Sequence, residues 1–494
     1  MHIAFLNPQG NFDPEDRYWT EHADFGGQLV YVKEVALAMG RAGHQVDIIT
    51  RRIIDPNWPG FEEEIDGYPG QPNVRIVRLP CGGVQFLRKE ALWPFLGTEW
   101  VPNIFQFYEG EGSAPEVATT HYGDGGLAGA LWRLSDGPPF TFTGHSLGAQ
   151  KLDRLMEKGE SSLEELDEEF LFRRRLAAER VAMNHAARVI TSTNQERREQ
   201  YAHSAYQGAI DPSSDDRFAV IPPGVNLSIF DAEVEGEADK SVQRHLNQVF
   251  KRDLDPERRS LPGILSSSRL DHKKNLLGLV EAYAGNQELQ EHANLLIVLR
   301  GQEDLHGRKG LNEVERSILD QVVSICEQED LWGKVSGFSL GSQAELAAAY
   351  RHLCQQRSVF ALTALYEPFG LAPLEAMAAG LPAVVTENGG PSESLLEGDT
   401  EYGVLVDPTS PPDIAQGLLR LVASPETWQE FHERGRQRVL DRYTWEQTAE
   451  GYLSVLEKIR SEPARETSVP IPDYFTEPSA EDDLTRDRLE KIWG

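Results

Sequence analysis

The chain has 494 residues, of which 40% are hydrophobic, and a formal net charge of −31; that length suits two or three domains, and that charge excludes nucleic acid and anionic lipid surfaces as expected partners. Its three cysteines, Cys81, Cys326 and Cys354, are too few and too far apart for a disulfide framework or a Cys-x-x-Cys site, and no stretch approaches the roughly 18 uninterrupted apolar residues of a membrane span. With no basic leader at the start, the expectation is a cytoplasmic enzyme.

In chain order, HIAFL (2–6) predicts a buried parallel strand, FGGQLVYVKEVALAMGRAG a helix closed by glycine, and HQVDIITRR the next strand. In this βαβ unit Gly26 and Gly27 open the helix, where backbone N–H groups can approach a phosphate oxygen closely. The pattern recurs at EVATTHY followed by GDGGLAGALWRL, at PFTFTGHS and at AARVITSTNQE. The acidic run EKGESSLEELDEEF reads as a solvated helix or loop. After FAVIPPGVNLSIF the composition turns polar through Arg259, which predicts a linker and an N-terminal extension of a second half. A second series follows in PGILSSSRLDHKKNLLGLVEAYAGN, NLLIVLRG, GKVSGFSL, SVFALTAL and LPAVVTENGG. TWEQTAEGYLSVLEKI predicts a C-terminal helix that crosses back to the first half, with a polar, proline-containing tail after about residue 462. The expected domains are 1–225, completed by 455–494, and 226–454, both doubly wound α/β.

Gly144-His145-Ser146-Leu147-Gly148 matches the G-x-S-x-G elbow of serine hydrolases. A hydrolase also needs a late loop histidine, and of the late histidines only His306 falls in a loop, since His352 and His432 lie in helical patterns. The densest signal lies elsewhere, in ALYEPFGLAPLEAMAAGLPAVVTENGG. Glu367 and Glu375 there bracket a helix entrance, where carboxylates can accept from sugar or ribose hydroxyls and the N–H groups of Phe369, Gly370 and Leu371 are free. Upstream, SSSRLDHKKN places Arg269 and Lys274 in a loop after a strand, two cations suited to a departing diphosphate.

These stretches, together with NPQGNF, DFGGQLVYVKE, TTHYGDGGLAG and TFTGHSLGAQK, resemble the sucrose-phosphate synthase family of retaining glycosyltransferases over nearly the whole chain. The resemblance implies the GT-B fold, two facing Rossmann-like domains with a cleft that closes on the substrates, and glucosyl transfer from UDP-glucose to fructose 6-phosphate to give sucrose 6-phosphate and UDP. It implies that Glu375 holds the ribose, that Glu367 and the Phe369 to Leu371 backbone hold the glucose, and that Arg269, Lys274 and Gly27 bind the diphosphate. His145 then contacts the transferred sugar, and the acceptor attacks from the face the diphosphate leaves, so configuration is retained without a covalent intermediate.

In so acidic a chain, Lys89, Lys151 and the triplet Arg173-Arg174-Arg175 suggest an anionic acceptor. The resemblance carries Gly26, Gln28, Lys89, Tyr122, Ser146, Lys151, Arg174 and Arg175 onto the fructose 6-phosphate pocket, with Arg173 as a third candidate. A sucrose synthase acting on free fructose is the near alternative, and a mannosyl donor a further one. No cofactor and no metal ligand set is expected, and magnesium stimulation is compatible with the pattern without being implied by it; Asp253-Leu254-Asp255 resembles D-x-D but sits in a charged linker pattern. His121 ends a strand and reads equally as lining the acceptor site or as structural. A separate sucrose-phosphate phosphatase is the expected downstream partner.

Overall fold

The computed structural model describes residues 1–9, 11–18, 27–159, 161–234 and 236–477. They form two compact units, residues 1–222 with the segment from Thr448 onward, and residues 223–447. The chain returns to the first unit early in the helix Trp445–Ser461, ahead of the expected position 455.

The first unit is built on an eight-stranded sheet: β1 (His2–Leu6), β2 (Gln45–Arg51), β3 (Ile65–Gly67), β4 (Val74–Leu79), β5 (Val117–His121), β6 (Phe140–Thr143), β7 (Arg188–Thr191) and β8 (Phe218–Val220), in the order β3-β4-β2-β1-β5-β6-β7-β8. All pairs are parallel except β3 with β4. β5 is buried along its whole length, its Thr119, Thr120 and His121 included, as expected of a strand in a sheet covered on both faces. From β1 the chain moves one way across the sheet, to β2; from β5 it moves the other way, to β6. The loops leaving β1 and β5 therefore diverge, and the crevice at that switch point is where an open α/β sheet presents side chains to a ligand.

The second unit repeats the plan with β9 (Gly263–Ser267), β10 (Asn294–Val298), β11 (Val335–Phe338), β12 (Val359–Leu362), β13 (Ala383–Thr386), a small hairpin of β14 (Leu396–Glu397) and β15 (Thr400–Glu401), and β16 (Val404–Val406). Its sheet is all parallel, ordered β11-β10-β9-β12-β13-β16. Alternate residues feed two separate cores, Ile264, Leu295 and Val359 on one face and Leu265, Leu296 and Phe360 on the other. The switch point falls between β9 and β12, whose following loops carry Arg269 with Lys274 and Glu367.

Two expectations differ from the structure. The polar stretch before Arg259 contains the helix Asp239–Asp253, whose Val242, Leu246, Val249 and Phe250 recur at helical spacing and are buried in the second unit's core. The polar tail after residue 462 is anchored: the Ser468 and Val469 N–H groups donate to Asn184 Oδ1 at 2.8 and 3.0 Å, and Tyr474 and Phe475 are buried in the first unit. Tyr474 and Phe475, with Val469 and Ile471 packed beside them, supply the apolar area that holds the segment.

Candidate active site

In the second unit, Asp271 caps a short turn by accepting from the Lys273 N–H at 2.9 Å, and Asn275 adopts left-handed backbone at φ 52° while its Nδ2 donates to the Pro408 carbonyl. This tight turn aims Lys274, whose Nζ donates to Glu367 Oε2 at 2.6 Å. Glu367 is held from the backbone: its N–H donates to Asn388, and its carbonyl accepts from the Gly390 N–H at 3.0 Å. Gly389, at φ +102°, is required there, because a Cβ would lie 2.1 Å from the Glu367 carbonyl oxygen. The helix Leu371–Ala378 begins after Gly370, so the first-turn N–H groups face the same crevice unpaired by helix geometry. Glu375, one turn in, has no charged partner among the described residues, and burial pushes its carboxyl up to about 7. Arg269, in the loop after β9, is exposed and makes no ion pair among the described residues. Lys274, Glu367, Phe369, Gly370, Leu371, Glu375 and Arg269 thus all come from the two loops at one switch point and the helix that follows the second.

In the first unit the register Thr120↔Phe142 and His121↔Thr143 brings Tyr122 and His145 out beside one another at the carboxyl edges of β5 and β6. Both have left-handed backbone, φ 64° and 56°, which costs non-glycine residues about 1–3 kcal/mol each and concentrates at functional sites. The Ser146 N–H turns back to the Gly144 carbonyl at 2.6 Å, making His145 the middle of a three-residue turn. Its Nε2 lies 2.8 Å from His121 Nδ1, and Tyr31 meets its ring edge-on at 4.9 Å between centroids. Burial holds His145 down at about 3, so it is neutral at pH 7. The Ser146 carbonyl accepts from Arg175 Nη2 at 2.5 Å; the elbow-like sequence is a strand-to-helix turn whose imidazole is engaged by a second histidine.

Lys89, Tyr122, Lys151 and Arg175 line one pocket with Gln9, Trp93, Asp124 and Phe170. Lys151 stands over the Phe170 ring at 3.8 Å, and burial, then Arg175 and Lys89, push its pKa down to about 8. The arginine triplet divides three ways: Arg173 pairs with Asp167, Arg174 stacks at 4.3 Å on Tyr474 from the C-terminal segment, and only Arg175 reaches the pocket. Gln28 donates to Asn7 Oδ1 at 2.7 Å beside Gln9, and among the described residues no atom lies within 4 Å of where a Cβ on Gly27 would stand. Gly26 lies outside the described residues.

Three site residues were not legible as such. Fully buried Glu179 accepts from the Gly148 N–H at 2.9 Å and from Arg175 Nε at 2.9 Å, fixing the guanidinium. Gln9 and Asp124 meet at the switch point, 3.3 Å apart; Asp124 Oδ2 has no partner among the described residues, and burial pushes this carboxyl up to about 7 against the Gly125 N–H and Lys89. The signal available for Asp124 was an acidic residue just after the strand VATTH in a glycine-rich helix start. Among the described residues no cluster of three or more His, Cys, Asp or Glu could hold a metal ion, and Asp253 is engaged by Arg252 and by Ser336 Oγ at 2.7 Å. No described helix is long and apolar enough to cross a membrane.

Two parallel α/β sheets, each with side chains gathered at its switch point, define a GT-B glycosyltransferase. Residues 26–224 match the glycosyl transferase 4-like domain family and residues 252–438 match glycosyl transferases group 1. The chain is 42% identical over 475 residues to a probable sucrose-phosphate synthase of Thermosipho melanesiensis, covering 96% of this chain and 99% of that protein. It is 32% identical over 518 residues to the sucrose-phosphate synthase of Zea mays, covering 92% of this chain and 47% of that protein, so it spans about half the length of its plant relatives. Among solved structures, sucrose-phosphate synthase from Thermosynechococcus elongatus matches with a TM-score of 0.62 at 24% identity, over 93% of this chain and 99% of that one. The chain belongs to the sucrose-phosphate synthase family.

Proposed function

We propose that the protein transfers glucose from UDP-glucose to fructose 6-phosphate with retention, releasing UDP and sucrose 6-phosphate. The observation that carries this reading is the pocket of Lys89, Lys151 and Arg175 at the switch point of the first unit, a cation set matched to a phosphate ester in a chain of net charge −31.

In this reading Glu375 accepts from the ribose hydroxyls, and Glu367 with the N–H groups after Phe369 holds the glucose. Arg269 and Lys274 take up the charge that develops on the departing diphosphate. The attacking hydroxyl of fructose 6-phosphate forms a bond to the anomeric carbon as the bond to UDP breaks. Its proton goes to the diphosphate oxygen that leaves from the same face. His145, neutral and pinned in a strained turn, contacts the sugar as a hydrogen-bonding group. Ser146 and Tyr122 orient the acceptor, and the reading requires neither a cofactor nor a metal. The site of action is the cytoplasm, and because the product keeps its phosphate, a separate phosphatase is the expected consumer.

Mass analysis of the products from UDP-glucose and fructose 6-phosphate tests this. A disaccharide monophosphate formed one-for-one with UDP is the expected result. Glucose in place of the disaccharide, or no UDP, overturns it.

A further inference from the structure

His121 takes no part in the reaction described so far. It ends β5, is completely buried, and lies with Nδ1 2.8 Å from His145 Nε2. Its ring stacks flat on Phe5, 5.6 Å between centroids, and meets the Tyr31 ring at 6.0 Å. His121 Nε2 has no hydrogen-bond partner among the described residues, and neither does His145 Nδ1.

Two neutral imidazoles in contact share a single proton, so one nitrogen donates and the other accepts. If His121 Nδ1 were the acceptor, its own proton would sit on Nε2, an N–H orphaned between aromatic rings. Buried N–H groups without a partner are rarer in proteins than buried acceptors without one. The proton therefore belongs on His121 Nδ1 and is donated to His145 Nε2. A neutral His145 that accepts at Nε2 carries its own proton on Nδ1, the nitrogen for which no partner stands among the described residues. Burial of both rings, which holds each below its ordinary pKa, keeps the pair neutral and this arrangement singly protonated.

We propose that His121 is a positioning residue that fixes the tautomer of His145, presenting its Nδ1–H as a donor to an oxygen of the transferred sugar. The proposal rests on the reading of His145 as the histidine that contacts the sugar. A structural role for His121 would require only its shape.

Nitrogen-15 NMR of the full-length protein labelled at histidine tests the tautomer directly, with the His145 signals assigned by their loss in His145→Gln. The expected result is an Nδ1-protonated His145 in the wild type; an Nε2-protonated His145 overturns the proposal whatever the activity. Kinetics supply the second arm. His121→Leu, which removes the donor, is expected to lower kcat about tenfold or more with KM for both substrates shifted less than about threefold. His121→Asn, whose amide nitrogen stands where Nδ1 stood, is expected to stay within about threefold of wild type. Equal losses in both variants, or a fully active His121→Leu, overturn the positioning role. A wild type that makes no disaccharide phosphate yet shows Nδ1-protonated His145 counts against the proposed function and leaves the tautomer assignment standing.

Discussion

The candidate donor site of the second unit comes from two short stretches, residues 269–275 and 363–375, while the pocket of the first unit draws on Gln9, Lys89 with Trp93, Tyr122 with Asp124, Lys151, and Phe170 with Arg175. Their electrostatics differ as well. Lys274 is matched by Glu367 at 2.6 Å. Lys151 stands over an aromatic face, and burial, with Arg175 and Lys89, pushes its pKa down against the opposing pull of Glu90 and Glu169. In the proposed function the first arrangement is set to stabilise charge that develops during reaction, and the second is a cluster of cations that a bound phosphate would favour further.

That contrast can be broken at the donor side most severely. Lys274→Ala or Glu367→Ala removes one half of the pair that the proposed function sets between the transferred glucose and the leaving diphosphate, and kcat/KM in a UDP-release assay is expected to fall about 10³-fold. On the acceptor side the loss appears in binding. Lys151→Ala is expected to raise KM for fructose 6-phosphate about 10- to 100-fold, leaving that for UDP-glucose within about twofold. The same lysine sets a pH limb: with its pKa near 8, it loses charge as pH rises through that value, so wild-type KM for the phosphorylated acceptor should climb above about pH 8, and Lys151→Arg should move the climb upward. A pH-independent acceptor KM from 7 to 9 would separate Lys151 from the phosphate.

A smaller effect sharpens the comparison through stability. Glu375 has a folded pKa of about 7, above its unfolded value, so its contribution is complete below the unfolded pKa and is lost as pH rises through about 7. Glu375→Gln is therefore expected to gain about 1–2 kcal/mol relative to wild type on going from pH 5 to pH 8, read by chemical denaturation without ligand; an unchanged difference contradicts the buried, uncompensated carboxyl. Arg174, stacked on Tyr474 away from the pocket, should matter least: Arg174→Ala is expected to change acceptor KM less than about fivefold. A loss as large as that of Lys151→Ala would mean that Arg174 leaves Tyr474 to bind the acceptor.

The same contrast explains what the sequence made legible. Glu367, Glu375, Arg269 and Lys274 could be read because a switch point in a parallel sheet collects the loops after two strands, and each loop is short and chemically dense. Asp124, Gln9 and Glu179 could not, since their significance depends on distances between segments far apart in the chain. Glu179 looks like any charged residue of FRRRLAAERVAMNH until its two oxygens meet Gly148, Arg175 and the Tyr206 hydroxyl. The arginine triplet had no readable register because successive helical positions point about 100° apart, toward Asp167, Tyr474 and the pocket in turn. The helix Asp239–Asp253 was hidden by its polar face, with only four buried side chains to mark the other.

The central claim is that the cation pocket of the first unit selects a phosphorylated acceptor. It is tested most directly by measuring kcat/KM of the wild type for fructose 6-phosphate and for fructose with saturating UDP-glucose. A preference of about 10²-fold or more for the phosphate ester is the predicted result. Equal or better turnover of fructose would contradict the account and return Lys89 and Lys151 to the role of surface charge.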